Sequence, residues 1–514
     1  MAASNKNEPV FDLIKSMSKA EKRNFKLYAT RLSGNQEAKF LALFDCLDSA
    51  DDYDEAKVLA RCPIKKEQLP NMKAHLYKQI LVSIRLLNVQ HSEPMQLREQ
   101  LDFARILYDK GLYRQCTKTL EKSLEQALAL EQYAAALDII EFQKQIESLN
   151  TQSDSASRVE AISRQASEMS RRSETINDLS RISMQLYGLY LTLGYARTQK
   201  DLDLILQYFR PRLAPYAGAE LSFLERFYYY EAMAWYSYIQ HDFLLSYKYA
   251  RRWVELFDSN PQMKRLMYDN YMKGYARLLE GLYLMRSYQR FTKALAQFEH
   301  ECEEIGAIND NAMLISQLII FTNRLNKHFF EGSFEEGIAL IPRVEAYITR
   351  FAMQLNLHNK MLLYYKIACL YFGMGNYTKC IHFLGRITAT RDPQIRRDLQ
   401  CFSRMLTLIA SYEAGIDYNL DYQIKSVFRF LVKMNDMNQV QREMLSFLKK
   451  LNSIYESDVK EQLAVLYERL KPYENHPYER RTFYYLDVLS WLESKMSGRS
   501  VAEIIRQKFE SQEH

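Results

Sequence analysis

Seven aromatic side chains crowd into the twelve residues 227–238, FYYYEAMAWYSY. Their chemistry is packing or recognition, because tyrosine and tryptophan join a large apolar body to a polar tip and concentrate binding energy where they line an interface. Groups able to make or break bonds are harder to find. His300-Glu301-Cys302 lacks the i, i+4 spacing that would put two metal ligands on one helical face. No GxGxxG, GxxxxGKS/T, HExxH or GxSxG sequence occurs, so no nucleotide loop, zinc-protease helix or nucleophile elbow is indicated. The residues nominate no catalytic group, no cofactor and no metal site, and the expectation is a protein that is not an enzyme.

The elements that must carry the aromatic stretch are helices. The 514 residues hold 15 Gly and 11 Pro, about 5% together against roughly 12% in average usage. Strand-rich folds need Gly and Pro at each hairpin, whereas helical hairpins turn on one or two polar residues, so the fold class is all-α. The segment Met1–Val10 is polar and no run of eighteen apolar residues occurs, which implies no membrane insertion and a cytoplasmic location. Seven cysteines lie far apart without a CxxC pair and read as reduced packing residues. A net charge of +6, with both signs mixed along the chain, does not imply nucleic acid. The doublets Arg171-Arg172, Arg251-Arg252, Arg396-Arg397 and Arg480-Arg481 are expected on solvated faces or helix ends.

One phrase recurs: a turn residue, any residue, an aromatic, and a small residue three further on. It stands at Gly111/Tyr113/Cys116, His241/Phe243/Ser246, Gly332/Phe334/Gly337 and Gly375/Tyr377/Cys380, with a degenerate copy at Ser287-Tyr288-Phe291 and a departing one at Gly415. Apolar residues at helical spacing flank each copy, as with Tyr364, Ile367, Ala368 and Tyr371 before Gly375. The pattern predicts helical hairpins: the turn residue permits a tight backbone, the aromatic starts the second helix, and the small residue lets the two helices approach.

These residues resemble the tetratricopeptide repeat, best over 364–393, where Tyr364, Ala368, Tyr371, Gly375, Tyr377, Cys380 and Pro393 fall in register. The match is fair over 100–124, and at 230–253 His241 replaces the expected Gly. The stretch LIKSMSKAEKRNFKLYA resembles the start of an uncharacterised bacterial family of helical-repeat proteins. The expectation is therefore an α-solenoid of about ten antiparallel hairpins over 93–514, a superhelix like that of tetratricopeptide repeats. A small N-terminal helical cap over 1–92 precedes it, with one helix opened by a capping box at Ser18 and Glu21. Joints are expected at Thr151–Ser157, Pro211–Gly218, Ser259–Pro261 and Lys471–Pro477.

In tetratricopeptide repeats the first helix of each pair lines the concave face. Carried over, that face would show Tyr228, Glu231, Trp235 and Tyr238, then Thr322, Asn326 and Phe329, then Tyr365 and Phe372. The first four fall within an arc of roughly 80° on a helical wheel, and Tyr230, Met233 and Ala234 would pack between helices. A helix apolar nearly all round is also what burial between neighbours requires. The function expected is a non-enzymatic scaffold that holds a protein or peptide partner in an aromatic-lined groove. The alternative is a nucleic-acid-linked regulator. Its reader would be a helix-turn-helix-like segment over 53–87, where Arg61, Lys65, Lys66, Lys73, Lys78 and Arg85 face only Glu67 within 61–87. That excess is small and the turn carries Cys62-Pro63 without a Gly, so nucleic acid is not the expected partner.

Overall fold

The computed structural model describes residues 8–31, 37–62, 64–148, 155–306, 309–390, 395–416, 420–434, 437–451, 458–485 and 487–512. Every regular element among them is helical, as the shortage of Gly and Pro requires. Two compact units divide between Ser170 and Arg171, inside the 39-residue helix Ser155–Leu193. None of the helices of the described residues is long and apolar enough to cross a membrane.

The first unit begins with the helices Pro9–Ser16, Lys19–Ala29, Glu37–Ser49, Glu55–Arg61 and Leu69–Asn88. They enclose a core that includes Ile14, Phe25, Phe44, Leu76 and Ile80. The predicted capping box is present: Ser18 Oγ accepts from Glu21 N at 3.2 Å, and the Glu21 carboxylate accepts from Ser18 N at 2.7 Å. Glu93–Asp109, Tyr113–Ala129 and Tyr133–Glu147 follow, each packed on the next.

The recurring phrase marks hairpins in both units. Tyr113, Phe243, Tyr288, Phe334 and Tyr377 are each the first residue of a helix. Ahead of them the backbone turns through a left-handed residue at Gly111, His241, Arg286, Gly332 and Gly375. Most of these turns close alike, with the residue after the left-handed one donating its N–H to the carbonyl five positions back. Leu112 N to Leu107 O measures 2.9 Å, Asp242 N to Ser237 O 3.0 Å, and Asn376 N to Tyr371 O 2.8 Å. This is the Schellman closure of a helix end. The small residue then meets the preceding helix: Cys116 Sγ lies 3.2 Å from Ala104 O, and Ser246 Oγ donates to Ala234 O at 2.9 Å. At the Gly332 turn a side chain is disfavoured by φ of +67° and blocked because a Cβ would lie 2.7 Å from Ala502 O.

In the second unit the hairpins Phe223–Ile239/Phe243–Asp258, Tyr268–Leu284/Tyr288–Ile305 and Leu357–Gly373/Tyr377–Thr388 pack on their neighbours, with Asp310–Glu331 and Arg397–Glu413 alongside. Trp253, Phe257, Tyr271 and Phe298 are among their fully buried rings. Three details depart from the expected pattern. Pro211 sits inside the helix Gln199–Leu213, so that joint begins only at Ala214. The helix after Gly332 is split into Phe334–Ala339 and Ile341–Arg350, because Pro342 has no N–H to continue the ladder. Arg396 is not solvated but 2% exposed. Of the expected features, Pro63, residues 151–154 and Pro393 lie outside the described residues.

Candidate functional site

The second unit contains a cavity of about 300 Å³, and three helices supply most of its wall through residues three, four and seven apart. The Asp310–Glu331 helix contributes Thr322, Asn326 and Phe329, while Leu357–Gly373 contributes Tyr365, Lys366, Cys369 and Phe372. Tyr268–Leu284 contributes Arg277, Glu280 and Tyr283, and Tyr238 enters from the aromatic stretch. Such spacing keeps each set on one helical face.

Six of the nine residues nominated from sequence thus share one cavity: Tyr238, Thr322, Asn326, Phe329, Tyr365 and Phe372. Tyr228, Glu231 and Trp235 are not part of its lining. Tyr228 and Glu231 are half-buried, and burial raises both their pKa values, with Ser183 and Lys273 opposing the shift at Glu231. Trp235 packs against Tyr187 and Tyr190 at ring-centroid distances of 5.1 and 5.0 Å. Of the pair expected on the open face, Tyr238 lines the cavity and Trp235 does not, while Tyr230 and Met233 pack against the core. Trp235 and Tyr238 are 8% and 2% exposed, whereas Tyr230 and Met233 are only half-buried. The wheel grouped the side chains correctly by angle but not by neighbour, because the stripe meets the end of the Ser155–Leu193 helix and the Arg277 guanidinium.

Polar groups form a chain along the wall. Tyr195 and Tyr238 share a hydroxyl hydrogen bond of 2.8 Å, and Tyr238 donates to Glu280 Oε1. Glu280 pairs with Arg277 at 2.5 Å, and that guanidinium lies over the Trp235 ring at 4.3 Å. Arg277 Nη1 is buried without a hydrogen-bond partner among the described residues. A second ion pair sits at the helix start Arg396–Asp398, where Arg396 Nε and Nη2 donate to the carboxylate at 2.9 and 2.7 Å. Arg396 also approaches His358 Nδ1 at 3.1 Å through Nη1. Lys366 donates to Asn326 Oδ1 at 2.5 Å and stands 5.6 Å from the Tyr283 and Phe329 rings.

Burial sets the protonation states. It pushes the Cys369 thiol up to about 12 and the Tyr195 and Tyr238 phenols well above their ordinary value, so all three are hydrogen-bonding groups and not nucleophiles at neutral pH. Burial and the nearby Arg396 charge push His358 down to about 3, which leaves it a neutral acceptor. Burial brings Lys366 down to about 8, with Arg396 acting in the same direction and Cys369 and Glu280 against it.

That depressed value carries a prediction. Lys366→Met is expected to raise the unfolding free energy of the unliganded protein by roughly 1–3 kcal/mol at neutral pH, since each pKa unit corresponds to about 1.4 kcal/mol. Between about 8 and the ordinary 10.5 the unfolded chain binds more protons than the folded one. The burial cost is therefore fully present below about 8, and Lys366 makes stability rise with pH across that window. Urea unfolding of both proteins on either side of pH 8 checks this, and an identical pH response would refute it.

Lys366, Arg277 and Arg396 are the site residues that sequence reasoning missed. One signal was available: in MLLYYKIACLYFG, residues 361–373, Lys366 is the only charged residue. The triplet His300-Glu301-Cys302 is dispersed, with Glu301 paired to Lys264 and accepting from Tyr271 at 2.5 Å, while His300 is exposed beside Glu304. In the first unit, the basic segment has part of its charge spent: Lys73 binds Glu8 at 2.7 Å and Arg85 lies 4.0 Å from Asp102. Comparison with family models, with curated proteins and with solved structures finds no match to this chain.

Proposed function

We propose that this chain is a non-enzymatic binding module that holds a peptide or a segment of a protein partner by inserting part of it into the aromatic-lined cavity of the second unit. The hairpin phrase supports placing it among tetratricopeptide-like proteins, with about ten such hairpins. The LIKSMSKAEKRNFKLYA resemblance supports a bacterial origin. The observation that carries the reading is convergence: residues chosen for a concave face, from three separate helices, line one cavity of about 300 Å³. That size is at the lower end of pockets that bind small ligands, so it suits one or two side chains of a partner rather than a long segment.

Peptides selected by phage display against the full chain test this. Their affinity, read by fluorescence anisotropy, is expected to fall by about tenfold or more, equivalent to 1.4 kcal/mol, in Thr322→Phe, which fills the cavity from one wall. Selected peptides that bind Thr322→Phe as tightly as the parent, or a selection that yields none, would sink the proposal.

A further inference from the structure

With Asp398 counted behind Arg396, the cavity wall carries one positive charge more than the carboxylates cancel. Arg277 is paired with Glu280, and Arg396 with Asp398. Of the remaining charged lining groups, Arg286 and Asp487 are of opposite sign. Lys366 is left, and its one polar contact among the described residues is with the neutral amide oxygen of Asn326. A cation held in a cavity wall without a counter-ion costs free energy that a bound anion would recover.

We propose that this cavity binds the carboxylate of an organic monoanion, with Lys366 Nζ at the charged end and the rings of Phe329, Tyr365 and Phe372 against its apolar part. One surplus positive charge fits one negative charge. A dianion such as a phosphate monoester would bring a second negative charge that this single surplus does not balance. The proposal deepens the binding reading above and rests on the cavity being a binding site. The carboxylate has two sources, a free aryl or alkyl acid or the C-terminus of a peptide.

Binding should be coupled to a proton. The charged and titratable groups facing Lys366 are Cys369 on its own helix, Glu280 and Tyr283 from Tyr268–Leu284, and Arg396 beside Arg397–Glu413. Asn326 and Phe329 face it from Asp310–Glu331 and do not titrate. An arriving carboxylate favours the ammonium and raises its pKa. Below about 8 the lysine is already charged. Above it, binding must take up a proton, and affinity should fall by about tenfold per pH unit.

The test is isothermal titration calorimetry of the full chain with four probes: 3-phenylpropionate, 3-phenylpropanamide, N-acetyl-Gly-Phe acid and N-acetyl-Gly-Phe amide. At least one acid is expected to bind about tenfold or more tighter than its amide, with proton uptake above pH 8. Lys366→Met should abolish that preference, and Lys366→Arg should keep it while flattening the pH profile. Equal binding of acid and amide, an acid preference that survives in Lys366→Met, or no binding of any probe overturns the inference. Equal binding of the two peptides leaves the peptide reading standing without the anion. Binding of 3-phenylpropionate alone keeps the anion inference and removes the peptide reading.

Discussion

Asp398→Ala is expected to lower the unfolding free energy by about 3–5 kcal/mol, the cost of leaving a buried charge without its partner. Arg396 and Asp398 are each 2% exposed, and the carboxylate takes both Nε and Nη2 of the guanidinium. With the carboxylate gone, Arg396 keeps its place over the Tyr190 ring at 5.3 Å and the His358 contact, neither of which neutralises it. Replacing both residues, Arg396→Met with Asp398→Ala, should cost less than the single change, because no charge is then stranded. A double-mutant cycle by urea unfolding checks this, and a single variant that loses under about 1 kcal/mol would show that the pair is solvated in solution.

Trp235→Ala should cost a similar amount, about 3–5 kcal/mol, through lost burial and the cavity left behind. The indole is walled by Tyr187, Tyr190, Tyr238 and the Arg277 guanidinium, and Tyr190, Tyr238 and Arg277 cannot relax into the space without breaking their own contacts. Tyr230→Ala and Met233→Ala, at half-buried positions, should each cost less than Trp235→Ala. Thermal unfolding of the three variants together decides the order, and a greater loss at Tyr230 or Met233 would restore the opposite assignment of the helix faces.

Local chemistry was legible in the sequence wherever it acts within one hairpin. The phrase at Gly111, His241 and Gly375 located the turns because left-handed backbone, helix start and small packing residue all lie within six positions. Glu131 escaped notice although its backbone also turns left-handed and Gln132 N closes on Ala127 O at 2.8 Å, since Glu is an unusual residue for that conformation. The cavity was half legible. Thr322, Asn326 and Phe329 follow from the tetratricopeptide resemblance, but the groups that give the site its charge do not. A doublet of arginines usually marks a solvated face, and what makes burial of Arg396 tolerable includes the partner Asp398, two residues on, with Tyr190 and His358 from distant helices. Trp235 failed for the same reason: its angle on the helix is a local property, and what covers it is not.

The hairpin closure also bears on the order in which the chain acquires structure. The bonds that define most of the turns join residues five apart, and the contacts of Cys116 with Ala104 and of Ser246 with Ala234 join residues twelve apart. Loops that short lose little entropy on closing, and contacts of such short range form early and fast. The cavity, by contrast, draws Tyr238, Arg277, Asn326 and Lys366 from four helices spread over more than a hundred residues of sequence. Hairpins should therefore be present before the pocket is, so that any ligand of the cavity acts on the last step of folding and stabilises the finished unit without speeding the formation of its parts.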